Sequence, residues 1–386
     1  VVHVMDIGTA ATAISDEQIR AGIERLNENW RKVAGTQGDG TGVDMGIQFA
    51  LAVRDPQGNC TSGITRRDMT FSATYVANGV MHNGAVGMPD AELKSYDNWD
   101  PTRYYNIWLV GEIDNGGPVA GYAYFASSHG SSIDGTILLT GYMPGSNVLS
   151  HELGHAFNLY HTFEGDVNGT TCPPNGDCTS DGDHVCDIPP HIRPSACNPT
   201  GTNACDGGSL NSLHLFNYMN YTTCTDNMFT ADQRTRAQLA MTSERASFLA
   251  SNGNMSLVPP GAPQLDFRAS ASVLCGTGQS VTMEDVSSCL PNTYLADAEF
   301  PGISFAWTLT NGIFTYNSTF RRPTFIVNGT GVYNATLTVT TSLGTYTRTE
   351  NGIVVVAGTP VAACTPTSSN ECNCAQTVNN VVFGSI

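Results

Sequence analysis

Eleven residues near the middle of the chain, His151-Glu152-Leu153-Gly154-His155-Ala156-Phe157-Asn158-Leu159-Tyr160-His161, constrain the fold more than any other feature. On an α-helix, residues i and i+4 share a face, so His151 and His155 present two imidazoles to one point in space. Glu152 lies one residue along, within reach of a water held there. Imidazole suits Zn2+, which in catalytic sites takes three protein ligands and keeps one position for water. The third candidate ligand is His161, six residues past His155. A continuous helix would rotate it away by more than half a turn. The helix must therefore stop near Asn158 and the chain must bend back. Asn is the non-glycine residue that best tolerates the left-handed conformation such a bend requires.

The rest of the chain bounds the reading. Its 386 residues exceed what one compact core usually holds, so two domains are the default. The net charge is −17 and the only lysines are Lys32 and Lys94. Such a surface repels nucleic-acid phosphates and anionic membranes, and no apolar run is long enough to span a bilayer. Val1-Val2-His3-Val4-Met5 reads as a strand with no basic or apolar leader before it, so any targeting segment is expected to have been removed or to lie outside this sequence. Twelve cysteines point to an oxidising, extracellular setting. Cys172, Cys178, Cys186, Cys197, Cys205 and Cys224 crowd one loop-rich stretch without a Cys-x2-Cys knuckle. Disulfides stapling long loops fit that spacing better than a structural zinc site.

Ser251-Asn252-Gly253-Asn254 followed by Pro259-Pro260-Gly261-Ala262-Pro263 divides the chain, because neither run continues a helix or a central strand. The expected organisation is a catalytic domain over 1–255, a linker over 256–262, a β-sandwich over 263–357 and a tail over 358–386. Before the linker, Ser15 and Gln18 form a capping box ahead of Ile19, Ile23, Leu26, Trp30 and Val33, an amphipathic helix. Strands are expected over 1–6, Ile47–Val53, Tyr105–Val110 and Thr136–Thr140. Thr230 and Gln233 open a further helix reaching about Leu249. After the linker only strands follow. Tyr333, Ala335, Leu337 and Val339 alternate with polar residues, as do Phe305, Trp307 and Leu309. Val281 with Met283, and Ile353 with Val355, supply further strands.

The stretch 151–163, ending Leu159-Tyr160-His161-Thr162-Phe163, resembles the pappalysin family of metzincin metallopeptidases, with Asn158 in place of that family's glycine. Asp55-Pro56-Gln57-Gly58-Asn59 with Gly63-Ile64-Thr65-Arg66, Tyr105-Asn106-Ile107-Trp108, and Gly182-Asp183-His184-Val185-Cys186-Asp187-Ile188-Pro189-Pro190 are similar to further family segments. So is Asn217-Tyr218-Met219-Asn220-Tyr221. The resemblance implies an α+β metzincin-type domain, with a twisted mixed sheet, an active-site helix, a Met-turn and a C-terminal helix. It implies a secreted zinc endopeptidase made as a zymogen and acting on proteins or peptides. Glu152 would be the general base, Met219 the apolar floor of the metal site, and Tyr221 a hydroxyl near the metal that meets the developing oxyanion. Read without the family, Met219 is a core methionine and Tyr221 a packed tyrosine.

The same resemblance implies structural calcium near Asp177, Asp181, Asp183 and Asp187, an acidic loop that otherwise reads as solvated. It suggests Cys197–Cys224, Cys205 with one of Cys172, Cys178 or Cys186, and Cys275–Cys289 as disulfides. Asp226 is a candidate for the pocket receiving the residue after the cut, where it would favour Arg or Lys; the alternative is an exposed loop acid. Ser304-Phe305-Ala306-Trp307 and Gly331-Val332-Tyr333-Asn334-Ala335-Thr336-Leu337-Thr338-Val339 resemble a PKD-type sandwich, a spacer or a binder of polymeric substrate. Two other functions compete: an adhesin whose protease-like domain is inactive, and a zinc hydrolase of esters or small amides.

Overall fold

The computed structural model describes residues 1–84, 86–249, 255–290, 303–341 and 344–357. Two compact units divide at Pro260 and Gly261. Ser251 to Asn254, the tail 358–386 and its cysteines Cys364, Cys372 and Cys374 lie outside the described residues.

The first unit begins with β1 (Val2–Asp6) and α1 (Asp16–Trp30). The Ser15 side chain accepts from the Gln18 amide while the Gln18 side chain accepts from the Ser15 amide, which fixes the start of α1. Ile19, Ile23, Leu26 and Trp30 are all buried, each contributing roughly 1.5–3 kcal/mol by leaving water. Val33 falls beyond the helix, which Arg31 closes. Next come β2 (Ile64–Asp68), α2 (Ala73–Asn78), β3 (Val80–Met81), β4 (Met88–Pro89), α3 (Asp90–Ser95) and β5 (Ile107–Val110). Then follow β6 (Gly121–Ala123), β7 (Thr136–Leu139), α4 (Val148–Ala156), α5 (Ser212–Leu215) and α6 (Ala231–Thr242).

The main sheet has the order β2-β1-β5-β7-β6. Its pairs are parallel except β6 with β7, so a single antiparallel strand forms one edge. Parallel strands buried on both faces read as continuous apolar runs, and Ile107-Trp108-Leu109-Val110 is fully buried. One core lies between the sheet and helices α1, α4 and α6 and includes Trp30, Phe157, Met219 and Phe229.

Ile47–Val53 is not a strand. Ile47 and Leu51 are buried as their apolarity demands, but the backbone is satisfied otherwise. Asn27 bonds both the N–H and the C=O of Phe49, and the Val53 amide donates to Ser256 O. With those partners the segment needs no neighbouring strand. The last helix also stops early. Its capping box forms, but α6 ends at Thr242, and a separate 3-10 turn covers Ala246–Phe248.

The second unit contains β8 (Phe267–Ala269), β9 (Val273–Leu274), β10 (Gln279–Asp285) and β11 (Ser304–Thr310). It continues through β12 (Thr315–Ser318), β13 (Thr324–Val327), β14 (Gly331–Thr341) and β15 (Gly344–Val356). Sheets β13-β10-β8 and β12-β11-β14-β15-β9 enclose a common core around Trp307, Tyr333 and Leu337. This is a β-sandwich. Ile353 and Val355 lie in β15 as expected, and the fully buried residues beside them are Val354 and Val356. The pairing of β14 with β15 shifts by two residues between Tyr333 and Ala335, which leaves the inward face of β15 unchanged.

Candidate metal centre and catalytic cleft

Helix α4 carries His151, Glu152 and His155 and is held at both ends. Near its start, the Asn29 amide of α1 donates to Asn147 and Ser150. At its finish, Arg245 donates to Ala156 O at 2.7 Å and Arg236 to Asn158 O at 2.6 Å. Two guanidinium groups thus meet the carbonyl end of the helix, where its dipole favours positive charge. Arg245 is itself clamped by Asp134 through two bonds of 2.7 and 2.8 Å, both residues buried. Helix α4 ends at Ala156, and Asn158 takes φ 65°, the left-handed turn that the spacing to His161 requires. Asn158 Oδ1 accepts from the Ala126 amide at 3.0 Å, which locks the turn.

Past that turn the chain returns, and His151, His155 and His161 place ligand atoms within 4.8 Å of one another. His155 Nε2 and His161 Nε2 are 3.2 Å apart. The other ring nitrogens have partners. His151 Nδ1 lies 2.6 Å from Tyr218 O and His155 Nδ1 lies 2.8 Å from Leu159 O. A carbonyl can only accept, so both Nδ1 atoms carry the proton and both Nε2 atoms keep a lone pair. His161 Nδ1 stands 3.5 Å from a Glu164 carboxylate oxygen. Burial, then the neighbouring imidazoles, hold His151 well below its usual range and bring His155 down to about 4. Both are therefore neutral near pH 7.

Glu152 is 5% exposed beside this cluster, and burial pushes its carboxyl up to about 8. A methyl group on Gly121 of β6 would lie 3.3 Å from Glu152 Cγ, so the carboxylate sits beside the edge strand of the sheet. Three converging imidazoles, with His151 and His155 neutral and their Nε2 lone pairs free, and a buried carboxyl beside them fit a divalent cation. Among the described residues no other group of three or more His, Cys, Asp or Glu side chains converges in this way.

The floor comes from a second segment. Met219 is fully buried, and a Cβ on Gly154 would come within 2.2 Å of its sulfur. Only glycine at that helix position leaves room for the sulfur. Asn217 Oδ1 accepts from the Met219 amide, and Asn217 exchanges two side-chain bonds with Gln233. Gln233 is also the capping-box residue of α6. Tyr221 follows, 54% exposed, its ring 4.6 Å from His161 and 5.5 Å from His151. Burial of its hydroxyl and the Glu152 charge push it up to about 12, so it keeps its proton.

The acidic loop is less compact than its spacing suggests. Asp177 is exposed and bonds Thr179, and Asp181 accepts from the Asp177 amide. Asp187 binds Thr230 and the Asp232 amide at the start of α6. Only Asp183 is buried with an unpartnered carboxylate oxygen, and burial followed by the Asp187 charge raises it to about 7. Disulfides Cys172–Cys205, Cys178–Cys186 and Cys197–Cys224 staple this region, so Cys205 pairs with Cys172 of its three candidates. Cys60, Cys275 and Cys289 are also disulfide-bonded. Asp226 is not a freely exposed acid. Its Oδ1 is buried and unpartnered, and burial raises it to about 7.

Asn29, Asn217, Gln233, Arg236, Arg245 and Asp134 all brace this site, and sequence reasoning picked out only Gln233, as a helix cap, and Asn217, as part of the motif carrying Met219. Their partners lie up to 121 positions away, and no local pattern announces such contacts.

Comparison with known proteins agrees with this geometry. Residues 88–242 match the peptidase family M43, described as pregnancy-associated plasma protein-A. An extracellular metalloprotease of Arthroderma otae is 27% identical over 257 residues, 64% of this chain and 77% of its own length. Extracellular metalloprotease 1 of Coccidioides posadasii is 36% identical over 146 residues, 34% of this chain and 47% of its own. Mature mirolysin of Tannerella forsythia, solved with a cleaved peptide, superposes with a TM-score of 0.52 at 26% identity. That match covers 66% of this chain and 96% of mirolysin.

Proposed function

We propose that this protein is a secreted zinc endopeptidase of the pappalysin family that uses Glu152 as its general base. The observation that carries the reading is the convergence of His151, His155 and His161 with Glu152 buried beside them. When bound by those three imidazoles, zinc supplies Lewis acidity that makes a water nucleophilic near neutral pH and polarises a carbonyl. An extended peptide pairs with the edge strand β6, whose outer side faces no other strand of the sheet. That pairing brings the scissile carbonyl alongside Glu152. Glu152 takes the proton of the attacking water and delivers it to the leaving amine. Tyr221 keeps its proton at neutral pH and donates a hydrogen bond to the oxyanion. Met219 and the Asn217–Gln233 pair fix the floor against which the imidazoles are aligned.

Specificity is assigned to Asp226. Its buried, unpartnered oxygen supports a pocket for Arg or Lys after the cut. The buried, unpartnered oxygen of Asp183 supports a calcium site on the same argument. The stapled loops and the extracellular relatives support secretion. The sandwich unit acts as a spacer or binds polymeric substrate. A casein zymogram with and without chelator, followed by mass spectrometry of the fragments, tests activity and specificity together. Glu152→Ala retains one zinc per chain by elemental analysis and loses at least two orders of magnitude in rate. Near-normal cleavage by that variant would overturn the assignment.

A further inference from the structure

The third ligand differs from the other two because it stands on a loop rather than on α4, where Glu164 faces its Nδ1 and a ring two residues on lies against its face. His161 lies parallel to Phe163, with an interplanar angle of 4° and centroids 5.0 Å apart. The guanidinium carbon of Arg193 lies 4.6 Å from the centroid of the same Phe163 ring. Arg193 is in turn gripped by Asp166 through Nε at 2.7 Å and Nη2 at 2.6 Å, and its backbone amide donates to the same carboxylate at 3.1 Å. Asp166 is 1% exposed, and the Arg193 bonds hold its carboxyl down at about 2.

The turn that follows Asp166 is strained. Val167, Asn168 and Gly169 have φ of 47°, 57° and 81°, and a β-branched residue rarely accepts the left-handed region. Asp166 O accepts from the amides of Thr170 and Thr171, which closes that turn. The loop therefore depends on Asp166, and Asp166 on Arg193. The guanidinium also approaches Tyr221, whose ring centroid is 5.1 Å from that of Phe163. Its charge counters the upward push that burial and Glu152 exert on the Tyr221 hydroxyl.

We propose that Arg193 is a positioning residue for the metal centre: locked to Asp166 and stacked on Phe163, it sets the plane of His161 and the seat of Tyr221. A bidentate, planar cation is needed for this, and lysine does not replace it. Neutralised by Asp166, Arg193 brings a flat surface close to the cation site without adding a full repelling charge. The inference rests on the zinc reading given above.

The test measures zinc affinity of the full chain by competition with a fluorescent chelator, beside the melting temperature of the metal-free protein. Arg193→Lys keeps the charge and loses the fork and the stacking plane. We expect it to weaken zinc binding by about tenfold or more, as removal of an outer partner of a metal ligand does, with kcat falling and KM nearly constant. Asp166→Asn/Arg193→Gln removes both charges together, so no buried carboxylate is stranded, and should weaken zinc binding to a similar degree. A merely structural role would lower the metal-free melting temperature and leave zinc affinity and the kcat-to-KM split unchanged in folded protein. That result overturns the proposal. If the unaltered protein binds no stoichiometric zinc, the zinc reading itself fails instead.

Discussion

Asn158→Gly is a demanding test of how the metal site is built, because glycine is the residue that the pappalysin pattern carries there. Asn158 has φ 65°, and an L-residue in that region costs about 1–2 kcal/mol, less for Asn, so glycine should relieve up to about 1 kcal/mol. Two terms oppose that relief. The Ala126 amide, in a fully buried residue, would lose the Oδ1 acceptor 3.0 Å away, and an orphaned buried donor costs about 1–3 kcal/mol. Glycine also frees the unfolded chain by about 0.5–1 kcal/mol. The sum favours asparagine by about 2 kcal/mol, a fall of roughly 4–8 °C in the melting temperature of a unit this size. Asn158→Asp retains the acceptor and should stay near the native value. Asn158→Ala loses the bond and keeps the strain, and should fall furthest, by about 2–3 kcal/mol. Thermal unfolding of the four proteins by circular dichroism, zinc-loaded and chelated, gives the order Asn, Asp, Gly, Ala. A glycine variant at least as stable as the native chain would refute the reasoning, since it would mean that backbone freedom outweighs the Ala126 bond.

Two further outcomes follow from the same site. Asp183 holds its proton in the fold to about pH 7, whereas the unfolded chain releases it near 3.8. A raised carboxyl makes the unfolded state the weaker proton binder in that window, so calcium-free protein should lose stability as pH rises from about 4 to 7, by at most ~4 kcal/mol. Added calcium should flatten that slope in calorimetric melts, and identical slopes with and without calcium would reject the Asp183 site. Gly154→Ala drives a methyl group into the Met219 sulfur, 2.2 Å away. It should cost about 1–3 kcal/mol and lower zinc affinity, and a variant with unchanged melting and zinc titration would show that the floor yields freely.

What was legible in the sequence was whatever is local or periodic. The two capping boxes at Ser15 and Thr230 state their helices within four residues. The 151–161 spacing requires a helix, a left-handed break and a return, and the alternation through Tyr333 and Val339 gives the sandwich its inner face. The Ile47–Val53 segment misled because its apolar side chains are buried while a single side chain, Asn27, stands in for a neighbouring strand. The choice of Cys172 for Cys205 depends on where a loop of 33 residues closes, which spacing does not determine. The braces of the metal site escaped notice for the same reason. Asp134 with Arg245, and Asn29 with Ser150, are each ordinary polar residues until the fold brings them together.

The Gln233 side chain has a consequence for dissecting the enzyme. It closes the first turn of α6 and also holds Asn217, which holds Met219. Three residues along, Arg236 seals the chain at Asn158, and nine further on Arg245 seals it at Ala156. In the catalytic unit the segments that resemble the family end by Tyr221, so a fragment trimmed to them would contain the three imidazoles, Glu152 and Tyr221. It would lack the residues that keep the chemistry assembled. The smallest working enzyme is therefore set by an arginine 24 residues beyond the final motif, and domain-boundary choices for expression should run past it.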